Sequence, residues 1–130
     1  MRVIMFQWRF EGPILSSQKR STIRRAARCK PNDVLSLRRW IDKPYRSKQA
    51  IIKTAVCRKV TRLTIGISSL HANFWVIRHE VDGPHLMNQS NLENLAKIEG
   101  FDTVDDLRQW FIDNRDLKPG IGFECEQIQW

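Results

Sequence analysis

Apolar and polar positions change period several times along this chain. Arg2 to Gln7 is short, apolar-rich and contains Val-Ile, which predicts a strand. Phe10 to Ser17 reads as a short helix with Pro13 in its first turn. Arg20 to Arg25 is a polar strand in which Thr22 and Arg24 share one face while Ile23 points the other way. Lys30-Pro31-Asn32-Asp33 is a turn, Val34 to Trp40 a strand, and Asp42 to Ser47 a loop. Ala50 to Ile67 is rich in Ile, Val and Thr but too long for one regular strand, so a bend or bulge is expected within it. Phe74 to Val81 alternates as another strand, closed by Asp82-Gly83-Pro84.

From Ser90 the period lengthens. Ser90-Asn91-Leu92-Glu93 fits a capping box with Ser90 as N-cap, and Gly100 is a plausible C-terminal stop. Thr103 starts a second helix with acids in its first turn and an apolar stripe of Val104, Leu107, Trp110 and Phe111. Gly120 to Trp130 returns to strand, with Ile121, Phe123 and Cys125 on one face. Strands, then two helices, then a final strand predict an α+β fold with a mainly antiparallel or barrel-like sheet. Alternating βαβ units are absent, which argues against a doubly wound sheet.

Composition narrows the picture. With 130 residues, 42% of them apolar, the chain fits one folded domain. The apolar run at the N-terminus is too short and too soon interrupted for a signal peptide, and no stretch approaches a membrane span, so a soluble cytoplasmic protein is expected. Cys29, Cys57 and Cys125 are odd in number and far apart, and His71, His79 and His85 do not stand at zinc-like spacing near them. Reduced, structural thiols and no metal are the expectation. No G-x-G-x-x-G or phosphate-binding P-loop occurs, so no cofactor is expected.

Charge adds the strongest hint of a partner. Residues 19 to 62 carry fifteen of the twenty-two Lys and Arg, opposed only by Asp33 and Asp42. Residues 91 to 130 carry nine acids against Lys97, Arg108, Arg115 and Lys118. That asymmetry attracts a polyanion to one face, and nucleic acid is the commonest. The binding candidates are Arg20, Arg24, Arg25, Arg28, Lys30, Arg38, Arg39, Arg46 and Lys48, with Tyr45 beside Arg46 in a loop as the stacking aromatic. Trp40 divides between core and stacking; Trp8, Trp75, Trp110 and Trp130 read as packing residues.

One carboxylate stands out. Leu92, Leu95 and Ala96 fall at i, i+3 and i+4 of the first long helix, and Glu99 falls at i+7 on the same stripe. A carboxylate drawn toward the core needs a cation or hydrogen-bond donors, and the segment around Lys19 is one source. Fraying of the last turn would instead leave Glu99 exposed.

Read together, the motifs resemble the ASCH family of the PUA-like superfamily. "ILSSQKRSTIR", Ile14 to Arg24, is similar to its I-L-x-G-x-K-x-x-T-I-R signature. "KPNDVLSL" resembles its turn and strand, "TAVCRKVTRLTI" its central strand, "LAKIEGFDTVDDLRQWF" its paired helices and "FECEQIQW" its closing strand. Residues 66–89 match least and read as an elaboration of a single domain spanning 1–130. The resemblance implies a small, mostly antiparallel β-barrel flanked by short helices, with a cleft for RNA or nucleotides. In one branch of the family a lysine, a threonine and a glutamate hydrolyse the acetyl amide of N4-acetylcytidine; the matching residues are Lys19, Thr22 and Glu99. There the lysine would serve as base, the threonine as nucleophile and the glutamate as acid. Another branch is linked to RNA cleavage. The expectation is therefore an RNA- or nucleotide-binding ASCH protein, with an amidohydrolase and a small ribonuclease as alternatives. For Lys19 and Thr22 to line one pocket, Lys19 must sit in the bend before the strand. That bend carries Ser17 where the signature has glycine, and Asn32 replaces a second glycine. Serine resists the left-handed backbone that glycine permits; asparagine tolerates it better.

Overall fold

The computed structural model describes residues 1–68 and 73–130; His71 lies outside the described residues. The strands are β1 (Arg2–Phe6), β2 (Ser21–Arg24), β3 (Val34–Trp40), β4 (Gln49–Val56), β5 (Lys59–Ile67), β6 (Phe74–Glu80), β7 (Gly83–Leu86) and β8 (Phe123–Gln129). The helices are α1 (Glu11–Leu15), preceded by a 3-10 turn at Trp8–Phe10, α2 (Gln89–Ile98) and α3 (Val104–Arg115). The class is α+β.

The strands form two sheets, ordered β1-β3-β4 and β2-β8-β5-β6-β7. Every ladder is antiparallel except β1 with β3. The expected bend inside Ala50–Ile67 is larger than a bulge: the chain leaves one sheet for the other. Cys57 still belongs to the β3 side, donating its N–H to Asp33 O at 2.8 Å. The next residue, Arg58, donates to Gln129 O beyond it at 2.7 Å. Such a corner is how packed sheets exchange a strand. No ladder joins an edge of the smaller sheet, β1 or β4, to an edge of the larger, β2 or β7, so the described strands do not close into the expected barrel.

β5 is interior to the larger sheet; it alternates at its start, with Thr61 buried and Arg62 exposed, and is buried throughout from Leu63 to Ile67. A single buried apolar cluster draws Ile4 and Phe6 of β1, Ile14 of α1, Leu35 and Leu37 of β3, Leu92 and Leu95 of α2 and Leu107 and Phe111 of α3 together. The described part of 66–89 includes β6 and β7, which extend the larger sheet. β7 was unexpected because Gly83 and Pro84 read as a turn. It is an edge strand, where the missing N–H of Pro84 is tolerated.

Two local expectations need correcting. The N-cap of α2 is Asn88, whose Oδ1 accepts from Asn91 N–H at 2.8 Å; Ser90 is already inside the helix. Asparagine caps as well as serine does, and here it comes first in the chain. Ile121 is exposed and precedes β8, because it still belongs to the turn in which its N–H reaches Lys118 O at 3.2 Å. No helix among the described residues is long and apolar enough to cross a membrane. Cys29, Cys57 and Cys125 are free thiols, and burial pushes Cys125 up to about 12.

Candidate functional site

Lys19 reaches the interior by way of the bend that follows α1. Ser17 adopts φ +66°, a left-handed conformation that glycine takes up with less strain. The next turn is fixed by Lys19 N–H to Pro13 O at 2.9 Å and Arg20 N–H to Ile98 O at 2.8 Å. The second bond ties the bend to the end of α2, bringing Lys19 to Glu99 across eighty positions of sequence. Asn32 likewise sits at φ +79°.

α2 ends in a Schellman motif. Phe101 N–H bonds Ala96 O at 2.8 Å, Gly100 N–H bonds Lys97 O at 3.0 Å, and Gly100 stands at φ +94°. Gly100 is needed twice over. Its backbone is left-handed, and a Cβ there would lie 3.1 Å from Lys19 Cδ, so the lysine stem runs directly over it. Glu99, the C-cap, is thereby turned inward and is 3% exposed. The fraying alternative is thus excluded.

Lys19, also 3% exposed, donates Nζ–H to the Glu99 carbonyl at 2.6 Å and stands 3.8 Å from its Oε1. Ser21 donates its hydroxyl to Glu99 Oε2, and Gln127 Nε2 donates to Ser21 Oγ at 3.2 Å and more weakly to Glu99 Oε2 at 3.4 Å. The ammonium also lies 4.6 Å from the ring centre of Phe10, a favourable cation–π distance. Burial pulls the Lys19 pKa down to about 8; the Glu99 charge opposes this, and Arg24 and Arg9 reinforce it. Burial drives Glu99 upward from the ordinary carboxylate range, resisted by Lys19, Gln127 and Arg24.

Thr22 is buried on β2, and its Oγ1 accepts from Arg24 Nε–H at 3.1 Å. Arg24 is aimed by a second bond, Nη2–H to Met5 O at 2.7 Å, and by the Phe6 ring 5.0 Å beneath it. Burial, with Arg115 and Arg2 nearby, lowers its pKa to about 10. Lys19, Thr22, Arg24 and Glu99 all line one cavity of about 470 Å³. That volume falls in the range of small-ligand sites. No hydrogen bond joins Lys19 to Thr22 among the described residues.

Aromatic rings edge the same cavity. Trp40 and Tyr45 are 5.2 Å apart, and Tyr45 is 88% exposed. Trp40 is half-buried, between its two expected settings. Trp8 corrects the packing expectation: it is 60% exposed, lines the cavity and lies 3.7 Å from the Arg39 guanidinium. It falls in the polar-flanked 3-10 turn, outside the buried alternation of β1. Trp110, by contrast, packs against Phe10, Phe101 and Phe111.

The remaining basic candidates lie outside the cavity lining. Arg20, Arg25, Arg28, Lys30, Arg46 and Lys48 are exposed. Arg38 and Arg39 are committed locally: Arg38 to Ser36 Oγ at 2.8 Å and Gln49 Oε1 at 3.1 Å, Arg39 to the Glu11 carboxylate. Ser21, Gln127, Arg115 and Trp8 are site residues that the sequence reading missed. For Gln127 a signal existed, since the period of two through Phe123 and Cys125 points it inward. Ser21 and Arg115 carried none.

Among the described residues no group of three or more His, Cys, Asp or Glu could hold a metal ion. Comparison with protein-family models, with curated proteins and with solved structures finds no match to this chain.

Proposed function

We propose that this chain is a nucleotide- or RNA-binding protein of the ASCH, PUA-like kind, whose cavity takes one base while the outer basic residues hold adjoining phosphates. The observation that carries this reading is a cavity of about 470 Å³ with Lys19, Thr22 and Glu99 in its wall and the exposed ring of Tyr45 at its edge. Hydrogen-bonding groups suited to a base edge lie inside, an exposed aromatic ring lies at the rim, and exposed cations lie beyond. Fluorescence titration with cytidine, cytidine 5′-monophosphate and a short single-stranded RNA tests it. Saturable quenching by the monophosphate and tighter, salt-sensitive binding of the RNA are expected. Absence of binding by all three at low salt would overturn it.

One observation favours a second reading, hydrolysis of an amide on the bound base. Arg24 occupies an acceptor position of the Thr22 hydroxyl, leaving the hydroxyl hydrogen available to a base. Neutral Lys19, available as the pH passes about 8, would take that proton while Thr22 Oγ1 attacks the acetyl carbonyl. Protonated Glu99 would return a proton to the leaving amine, and water would then release the acyl group from Thr22. Lys19 Nζ must first leave the Glu99 carbonyl and reach Thr22 as the neutral amine, which is why binding ranks ahead of catalysis. Deacetylation of N4-acetylcytidine that rises through about pH 8 and is lost in Thr22→Ala would establish this reading. Intact substrate across that pH range would remove it.

A further inference from the structure

Resting on the reading of the cavity as a nucleotide site, we infer that Arg24 and Arg115 together receive a phosphate group of the ligand, so that a phosphorylated nucleoside is preferred over a free one.

Arg115 stands in the last turn of α3 and lines the cavity with Arg24. Its Nε–H is buried and has no hydrogen-bond partner among the described residues. A buried donor without an acceptor is costly, and a guanidinium N–H is a poor group to leave so. The guanidinium lies 5.3 Å from the Trp110 ring centre, a contact that takes up none of its N–H groups as a hydrogen bond to a carboxylate would. The C-terminal dipole of α3 accounts for a cation at this position, but not for its orphaned N–H.

Like charges crowd here. Beside burial, Arg115 is among the groups that lower the Arg24 pKa, and Arg25 acts in the same way on Arg115. The carboxylates lining the cavity do not neutralise them. Glu99 is engaged by Lys19, Ser21 and Gln127, and Asp42 is exposed. Neither Arg24 nor Arg115 forms an ion pair with a carboxylate among the described residues. What suits two planar forks with unspent N–H groups is an acceptor with several anionic oxygens, and phosphate is the form that a nucleotide supplies.

The test is calorimetric titration of the full chain with cytidine, cytidine 5′-monophosphate, cytidine 3′-monophosphate and inorganic phosphate. One monophosphate should bind at least about tenfold more tightly than cytidine, the size of one or two charge-assisted hydrogen bonds. In Arg115→Gln the ratio should fall to within about threefold, and Arg115→Lys, with the charge but not the fork, should fall between. Circular dichroism confirms that the variants are folded. Cytidine and both monophosphates binding equally, or a preference untouched by both Arg115 variants, would overturn the inference while leaving the base site standing. Binding by none of the four would overturn the base site and this inference with it.

Discussion

Lys19 turns inward and is 3% exposed, whereas Arg20, the next residue, projects into solvent. The pair marks a division that runs through the whole basic half of the chain. Lys19 is a buried cation and Arg24 a half-buried one, each held by hydrogen bonding and an aromatic ring, and burial lowers the pKa of both. Arg20, Arg25, Arg28, Lys30, Arg46 and Lys48 are exposed. The same residue types therefore serve two kinds of electrostatics. Inside, a charge is expensive, specific and sensitive to its partner. Outside, it is cheap, additive and screened by salt.

The sharpest way to break this contrast is to remove the partner of the buried cation. Glu99→Gln leaves the Lys19 ammonium enclosed without its counter-charge. The expected cost is about 3–5 kcal/mol of stability, read as a lower urea midpoint. Adding Lys19→Met should restore much of it, because an uncharged stem of similar length then fills the same space over Gly100. Arg20→Ala, one residue away, should change stability by no more than about 0.5 kcal/mol. Equal effects from Glu99→Gln and Arg20→Ala would erase the distinction between the regions.

The next test is at the rim, where the two regions meet. Tyr45 has 88% of its surface exposed, so Tyr45→Ala should leave the urea midpoint in place. If its ring stacks on a base, the same substitution should weaken nucleotide and RNA binding by about 1–3 kcal/mol. Unchanged affinity would confine ligand contacts to the interior.

Salt sharpens the contrast further. Replacing both Arg20 and Arg28 by Ala should flatten the dependence of log K on log salt for single-stranded RNA. Each lost phosphate contact reduces the slope by about 0.7. A mononucleotide is too small to span both regions, so its affinity should respond less to the double substitution. An RNA slope identical to that of the parent chain would deny the outer residues a phosphate role.

How much of this was legible in the sequence depended on the reach of the interaction. Several local signals held, though the Ser90 cap and the placing of Ile121 did not: Val34–Trp40 is a strand with the expected bounds, Thr103 caps its helix through Asp106 N–H, and Gly100 stops α2. The helical stripe through Leu92, Leu95 and Ala96 correctly pointed Glu99 inward. The exchange of sheets at Cys57–Arg58 was not legible. Nothing in a run of Ile, Val and Thr says which of two sheets pairs with each half. Ser21 and Arg115 were missed for a related reason. A serine on a polar strand and an arginine ending an amphipathic helix both look solvent-facing until a distant element covers them.

The smallest effect is expected at the joint between the two regions. Ser17, exposed at φ +66°, holds the bend that sends Lys19 inward and Arg20 outward. A left-handed residue other than glycine costs about 1–2 kcal/mol. Glycine removes that cost but loses about 0.5–1 kcal/mol of backbone entropy on folding. Ser17→Gly should therefore raise stability by about 0.5 kcal/mol, with ligand affinity unchanged because the bend keeps its shape. The bend is also held by the Ser16 hydroxyl to Pro13 O at 3.1 Å, Ser16 N–H to Gly12 O at 2.9 Å, Ser17 N–H to Ile14 O at 3.1 Å and Gln18 N–H to Ser16 Oγ at 3.4 Å, and none of these involves the Ser17 side chain. A destabilised Ser17→Gly, or one with altered nucleotide affinity, would mean that the serine side chain itself sets the direction in which Lys19 leaves the bend.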